Sequence, residues 1–183
     1  MSRTATIGKK DLVAAAFKIT KKEGFDSITS RKLAQAAGCS TQPIFRLYEN
    51  MDELKKDVFD KSAKFFEEYY NSYEKKFDIP FIDLGIAYIE FAGKYPQLFK
   101  LLFLSGTTAN GNMYDLVNGS YENVVKEVTR AANLGVKEPE QLFMKMWIFI
   151  HGCGCMAVTK DFDLERDDTI SLLMAAYHSF QNM

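Results

Sequence analysis

The string SRKLAQAAGCSTQPIFRLY, residues 30–48, constrains this chain more than any other. Leu33, Ala34 and Ala37 sit at i, i+1 and i+4, which is one face of a helix. Gly38 then stops that helix, because glycine enters the left-handed C′ conformation without a steric cost. Cys39, Ser40 and Thr41 make a turn, and Ser40 or Thr41 is placed to cap a second helix. Pro43 falls in the first turn of that helix, where a missing N–H costs little. Ile44 and Leu47 point back toward Leu33 and Ala37. Ala34 is small where two steeply crossed helices touch. Two short helices about a tight turn make a helix-turn-helix, whose second helix can lie in a DNA major groove. A helical corner that meets no DNA satisfies the same string, so the surroundings have to decide.

Charge is one such surrounding. The net charge of −1 says nothing by itself, but its distribution does. Residues 1–50 hold nine Lys/Arg and four Asp/Glu, a balance of +5 that leaves −6 for the remainder. A basic head on an acidic body suits a phosphate-binding module joined to something else, although a solvated basic surface looks the same in composition.

Residues 9–54 resemble the N-terminal domain of the TetR/AcrR family of transcriptional regulators. The matching pieces are LVAAAF at 12–17, EGF at 23–25, ITSRKLA at 28–34, AGCS at 37–40 and IFRLYENMDEL at 44–54. They cover about a quarter of the chain, nearly without gaps. The resemblance implies an all-α protein of about nine helices. Its three-helix helix-turn-helix DNA-binding domain would span residues 1–50, and a helical effector-binding and dimerisation domain would span 51–183. In that family the last two helices pair with those of a second copy in a four-helix bundle.

Periodicity gives the course of the chain. A first helix is expected over 9–23, with Leu12, Ala15, Ala16 and Ile19 as its apolar stripe. Thr29 is placed to cap the next helix, and Asn50 with Glu53 forms an approximate capping box for the fourth. That fourth helix reads as long, 51–77, with apolar residues at spacings near four, and Pro80 breaks the pattern. Its wide apolar face suits a mechanical link between head and body. Further helices are expected over 80–94, 96–104, 113–133, 138–160 and 165–181, with a loop over 105–112. No stretch argues for a strand.

DNA binding needs cations for phosphates and a few side chains that reach base edges. The second helix of the corner offers Thr41, Gln42 and Arg46; Gln pairs with adenine, Arg with guanine or phosphate. The first turn of the preceding helix offers Thr29, Ser30 and Arg31. By resemblance, Thr29 would hold a phosphate, with Arg31 and Gln42 reading bases. Ser40, Tyr48 and Lys55 complete the expected DNA-binding set, and Arg3 and Lys56 are further phosphate candidates. Two positions depart from the family, which often carries Tyr at Phe45 and Lys at Met51; neither residue here can make the corresponding phosphate contact.

The body is rich in aromatic residues and methionine, as an apolar or aromatic effector requires. Phe91, Phe99, Phe103, Tyr121, Met146, Phe149 and His151 are the candidate effector residues, beside Tyr95 and Tyr114. Ordinary core packing is the alternative for each. Trp147, Ile150, Gly154 and Val158, then Leu173, Ala176, Tyr177 and Phe180, follow helical spacing near the C-terminus and are the candidate dimer face. Gly152 and Gly154 inside a helix cost about 1 kcal/mol each against alanine, which a close backbone approach would explain.

Enzyme chemistry finds no support. The chain has two histidines and no HExxH, GxSxG, phosphate-cradling glycine loop or paired CxxC. No cofactor and no metal site is expected. Cys153 and Cys155 point about 200° apart on a helix, which disfavours chelation or a disulfide; small buried residues or a thiol sensor remain as readings. Three cysteines fit a reducing compartment. MSRTATIGKK lacks the apolar core of a signal peptide, and the longest nearly apolar run, 146–158, is short for a membrane span. The expectation is a cytoplasmic homodimer that binds an inverted-repeat DNA operator and no membrane. It would act as a repressor released by a small apolar or aromatic effector. A helical ligand-binding or thiol-responsive protein whose head has lost DNA binding is the alternative.

Overall fold

A computed structural model of the chain describes residues 7–105 and 122–182. Among them are nine α-helices and no strand. The helices are α1 (Lys9–Glu23), α2 (Ser30–Ala37), α3 (Gln42–Leu47), α4 (Met51–Asn71), α5 (Ile82–Lys94), α6 (Pro96–Phe99), α7 (Glu122–Asn133), α8 (Pro139–Thr159) and α9 (Arg166–Gln181). Arg3, Tyr114, Tyr121 and most of the loop expected over 105–112 lie outside the described residues.

The described residues divide into two compact units. One holds residues 7–66 and 97–105, the other 67–96 and 122–182. Leu12, Ala16, Leu33, Ile44, Leu54 and Val58 form the centre of the first unit's core, each fully buried. The expected stripe of α1 is the buried one, extended by Thr20. The buried stripe of α4 runs through Leu54, Val58, Ser62, Phe66 and Tyr70, a strict i, i+4 row. Ser62 escapes a search for apolar residues, but its hydroxyl donates to the Val58 carbonyl, which lets it sit inside.

In the second unit α8 is the central helix, with α5, α7 and α9 packed around it. It has 21 residues and a mean hydropathy of 1.4 over its most apolar window, long and apolar enough to cross a membrane by those measures alone. Its expected membrane incompetence therefore cannot rest on length. Its apolar residues are instead employed inside the unit, where Phe143, Met146 and Ile150 are fully buried.

Several helix ends differ from expectation. The helix expected to reach Phe77 stops at Asn71. Buried acids on other helices capture the backbone that follows. Asp83 accepts from the Lys76 and Phe77 N–H groups at 3.0 and 3.1 Å. Glu127 accepts from the Phe81 N–H at 3.1 Å, while Arg130 donates to the Phe77 carbonyl. These side chains supply what a helix would have supplied. Helix α5 starts two residues late because Phe81 is left-handed, at φ 69°. The helix expected over 96–104 is α-helical only to Phe99 and widens into a π turn over Lys100–Leu104. Thr41 occupies the start of α3 but makes no side-chain cap.

Candidate nucleic-acid interface

The α2–α3 corner forms as its residues require. Gly38 is left-handed (φ 67°, ψ 34°), and the Cys39 N–H returns to the Ala34 carbonyl at 2.9 Å. Leu33 and Ile44 meet in the core with no exposure at all. With Ile44 inward, α3 turns Gln42, Phe45 and Arg46 outward, and these lie at i, i+3 and i+4 on one face. Thr29 caps α2 by accepting from the Lys32 N–H at 3.2 Å. Its hydroxyl proton stays available to an outside acceptor. Arg31 projects from the first turn of α2 and is exposed, while Ser30 is half-buried. The start of α2 thus presents a positive dipole end, a hydroxyl donor and a guanidinium together.

The cations of this unit fall into two groups. Lys32 pairs with Glu23, and this hydrogen bond chiefly holds the Glu23 carboxyl below its ordinary range. Lys9 pairs with Glu53 at 3.0 Å and lies 4.4 Å over the Tyr48 ring. Glu53 is held low first by the Glu49 N–H and then by Lys9. Lys55 is half-buried, 5.5 Å from the Phe25 ring centroid. Arg31 and Arg46 are exposed and have no ion-pair or hydrogen-bond partner for their side chains among the described residues. Among the described residues of this unit, these are the guanidinium groups without an internal partner.

Tyr48 does not take the place expected for it. It is buried, and its hydroxyl donates to Asp57 Oδ2 at 2.8 Å. Burial and then this carboxylate push its ionisation far above the ordinary range. The hydroxyl is committed within the unit and leaves the DNA-binding set. Ser40 is exposed and Thr41 half-buried on the turn. Asn50 caps α4 through the Asp52 and Glu53 N–H groups, but Glu53 reaches back to the Glu49 N–H instead of that of Asn50.

The described candidate effector residues fall in both units. Phe99 and Phe103 pack on each other at 5.0 Å, and Phe103 on Phe66 at 5.2 Å, within the first unit. Phe91 and Met146 are fully buried in the second unit, Phe91 against Tyr69 and Tyr95. Phe149 lies 6.2 Å from Phe180. His151 is half-buried, with Nδ1 2.9 Å from the Tyr88 hydroxyl, Nε2 3.6 Å from Cys155 Sγ and its ring stacked on Trp147. Burial lowers its pKa. None of these side chains lines the cleft of about 680 Å³ at α7, whose walls include Val125, Arg130 and Leu134. Burial also raises the Cys153 and Cys155 thiols, which disfavours the reactive thiolate a sensor needs.

The candidate dimer face is half core. Ile150 and Leu173 have no exposure, and Trp147, Gly154 and Tyr177 are buried too. A Cβ on Gly85 of α5 would meet Ile150 at 3.0 Å and Leu173 at 3.2 Å, so these side chains fill the α5–α8–α9 junction. Val158, Ala176 and Phe180 are half-buried. The outward row of α8 is instead Ile148, Gly152 and Met156 at i, i+4 and i+8. Ile148 is 61% exposed and Met156 47%, and a Cβ on Gly152 would meet nothing within 4 Å among the described residues. Spacing alone misses this row because α8 is apolar on both sides.

No protein-family model matches the sequence, and no curated protein matches it. The fold does match a crystal structure from Rhodococcus sp., whose own assignment as a TetR-family transcriptional regulator is provisional. The TM-score is 0.63 and the identity 13%, over 94% of this chain and 98% of that one. The chain therefore has the all-helical fold of that protein along nearly its whole length.

Proposed function

We propose that this chain is a sequence-specific DNA-binding regulator of transcription, acting as a homodimer in the cytoplasm. One observation carries the proposal: α2 and α3 hold Arg31, Gln42 and Arg46 exposed on a helix-turn-helix, with both guanidinium groups lacking a partner among the described residues. The shared fold supports it. Thr29 and Lys55 are assigned to phosphates, Arg31, Gln42 and Arg46 to bases or phosphates, and Ser30, Ser40 and Thr41 to the rim. Two such heads suit an inverted-repeat operator with half-sites one helical turn, roughly 34 Å, apart.

The second copy is assigned to the outward row Ile148, Gly152 and Met156 with the half-buried Val158, Ala176 and Phe180. Among the described residues nothing accounts for a mid-helix glycine over open space, whereas a closely approaching second backbone would. A small apolar or aromatic effector, held by side chains such as Phe149 and His151, would release a repressor from DNA. It does so only through its differential affinity for the two conformations. Helix α4, whose residues belong to both units, is assigned the transmission.

The test is a fluorescence anisotropy titration of the full chain against the DNA upstream of its own gene, at about 50 and about 200 mM salt. Selective binding that weakens with salt is expected. No preference over random duplex at either concentration overturns the proposal.

A further inference from the structure

Phe45 is the one large aromatic side chain among the described residues that is mostly exposed, at 56%. It sits on the outward face of α3, one helical turn from Gln42 and next to Arg46. No ring contact or hydrogen bond of its side chain is present among the described residues. Nothing in the first unit's core accounts for it, since Ile44 and Leu47 already supply the inward face of α3. A phenyl ring cannot donate to phosphate or to a base edge. In the major groove its one complementary group is the C5-methyl of thymine, the sole apolar group that base edges present there.

We infer that Phe45 is a specificity-determining residue that packs its ring on a thymine methyl in each half-site. The inference rests on the DNA-binding reading above. Residues at i and i+3 lie about 5–6 Å apart at Cβ, and base pairs stack about 3.4 Å apart. The thymine is therefore expected within about two base pairs of the adenine assigned to Gln42. The contact discriminates thymine from cytosine, which carries no methyl at that position, and Gln42 and Arg46 supply the polar readout on either side.

The probe is the tightest duplex that the full chain recovers from a random-sequence pool. Each thymine is replaced in turn by deoxyuridine, which removes the methyl and leaves base pairing intact. Affinity for one replacement is expected to fall about four-fold, the worth of one buried methyl group. Replacing the symmetric pair should cost about sixteen-fold. The Phe45→Ala chain should bind the parent duplex more weakly and show no further loss on that replacement, while Phe45→Leu keeps part of it. Unchanged thermal melting of both variants confirms that the fold is intact, as expected at so exposed a position. If no thymine in the parent complex is methyl-sensitive, or if Phe45→Ala loses as much as the parent at the same thymine, the inference is overturned while DNA binding stands. If the pool yields no enriched duplex, the DNA-binding reading falls and takes the inference with it.

Discussion

The Tyr48 hydroxyl donates to Asp57 Oδ2 at 2.8 Å, tying the end of α3 to the second turn of α4. The bond commits the hydroxyl to the α3–α4 junction, inside the unit. Tyr48→Phe keeps the ring under Lys9 and removes only this bond. It should lower stability by about 0.5–1.5 kcal/mol, read as a shift of the urea midpoint without a change of slope. Below the unfolding transition its DNA affinity should stay within a few-fold of the parent. A loss as large as that of an exposed arginine would return Tyr48 to the list of direct contacts.

Arg31 and Lys32 are neighbours with opposite expectations. Lys32 is already neutralised by Glu23, whereas Arg31 has no partner among the described residues. Arg31→Ala and Arg46→Ala should each cost about 1–3 kcal/mol in selective binding. A variant that loses only a phosphate contact should also flatten the plot of log affinity against log salt by about one unit. Lys32→Ala should cost much less. Equal losses at all three positions would mean that pairing in the free protein does not decide which cations contact DNA.

Ile150 and Ile148 separate core from candidate interface on one helix. Ile150→Ala should destabilise the second unit by about 2–5 kcal/mol, because its side chain fills the junction beside Gly85 and Leu173. Ile148→Glu should leave the urea midpoint of the monomer nearly unchanged and shift the chain toward monomer in sedimentation velocity at micromolar concentration. Gly152→Leu should do the same. A dimer that survives both changes would place the second copy elsewhere.

His151 sets an acid-side dependence. Burial lowers its pKa below the ordinary 6.5, so in the window between the two values the unfolded chain binds more protons than the folded one. Stability from this group is full above 6.5 and is lost as pH falls through that window toward the folded value. Urea midpoints measured from about pH 7.5 to about pH 5 should fall in the parent. They should fall less steeply in His151→Gln, with the difference confined to that window.

The helix-turn-helix was determined by the sequence alone, because every term in it is local. Ala34, Gly38, Pro43 and Ile44 act within their own turns, and glycine at a left-handed position needs no distant partner. The same holds for the whole of α1 and for the Thr29 cap. What tertiary structure decided involves groups far apart in the chain or helices apolar on more than one side. Beyond the Asn71 end of α4, Asp83 holds the Lys76 and Phe77 N–H groups and Glu127 holds that of Phe81, 46 residues away, which no periodicity reveals. On α8 apolar residues occupy both faces, so spacing could not say that Ile150 goes inward and Ile148 outward; the packing of α5 and α9 did. Tyr48 reads as an exposed phosphate ligand until Asp57, a turn into the next helix, claims its hydroxyl.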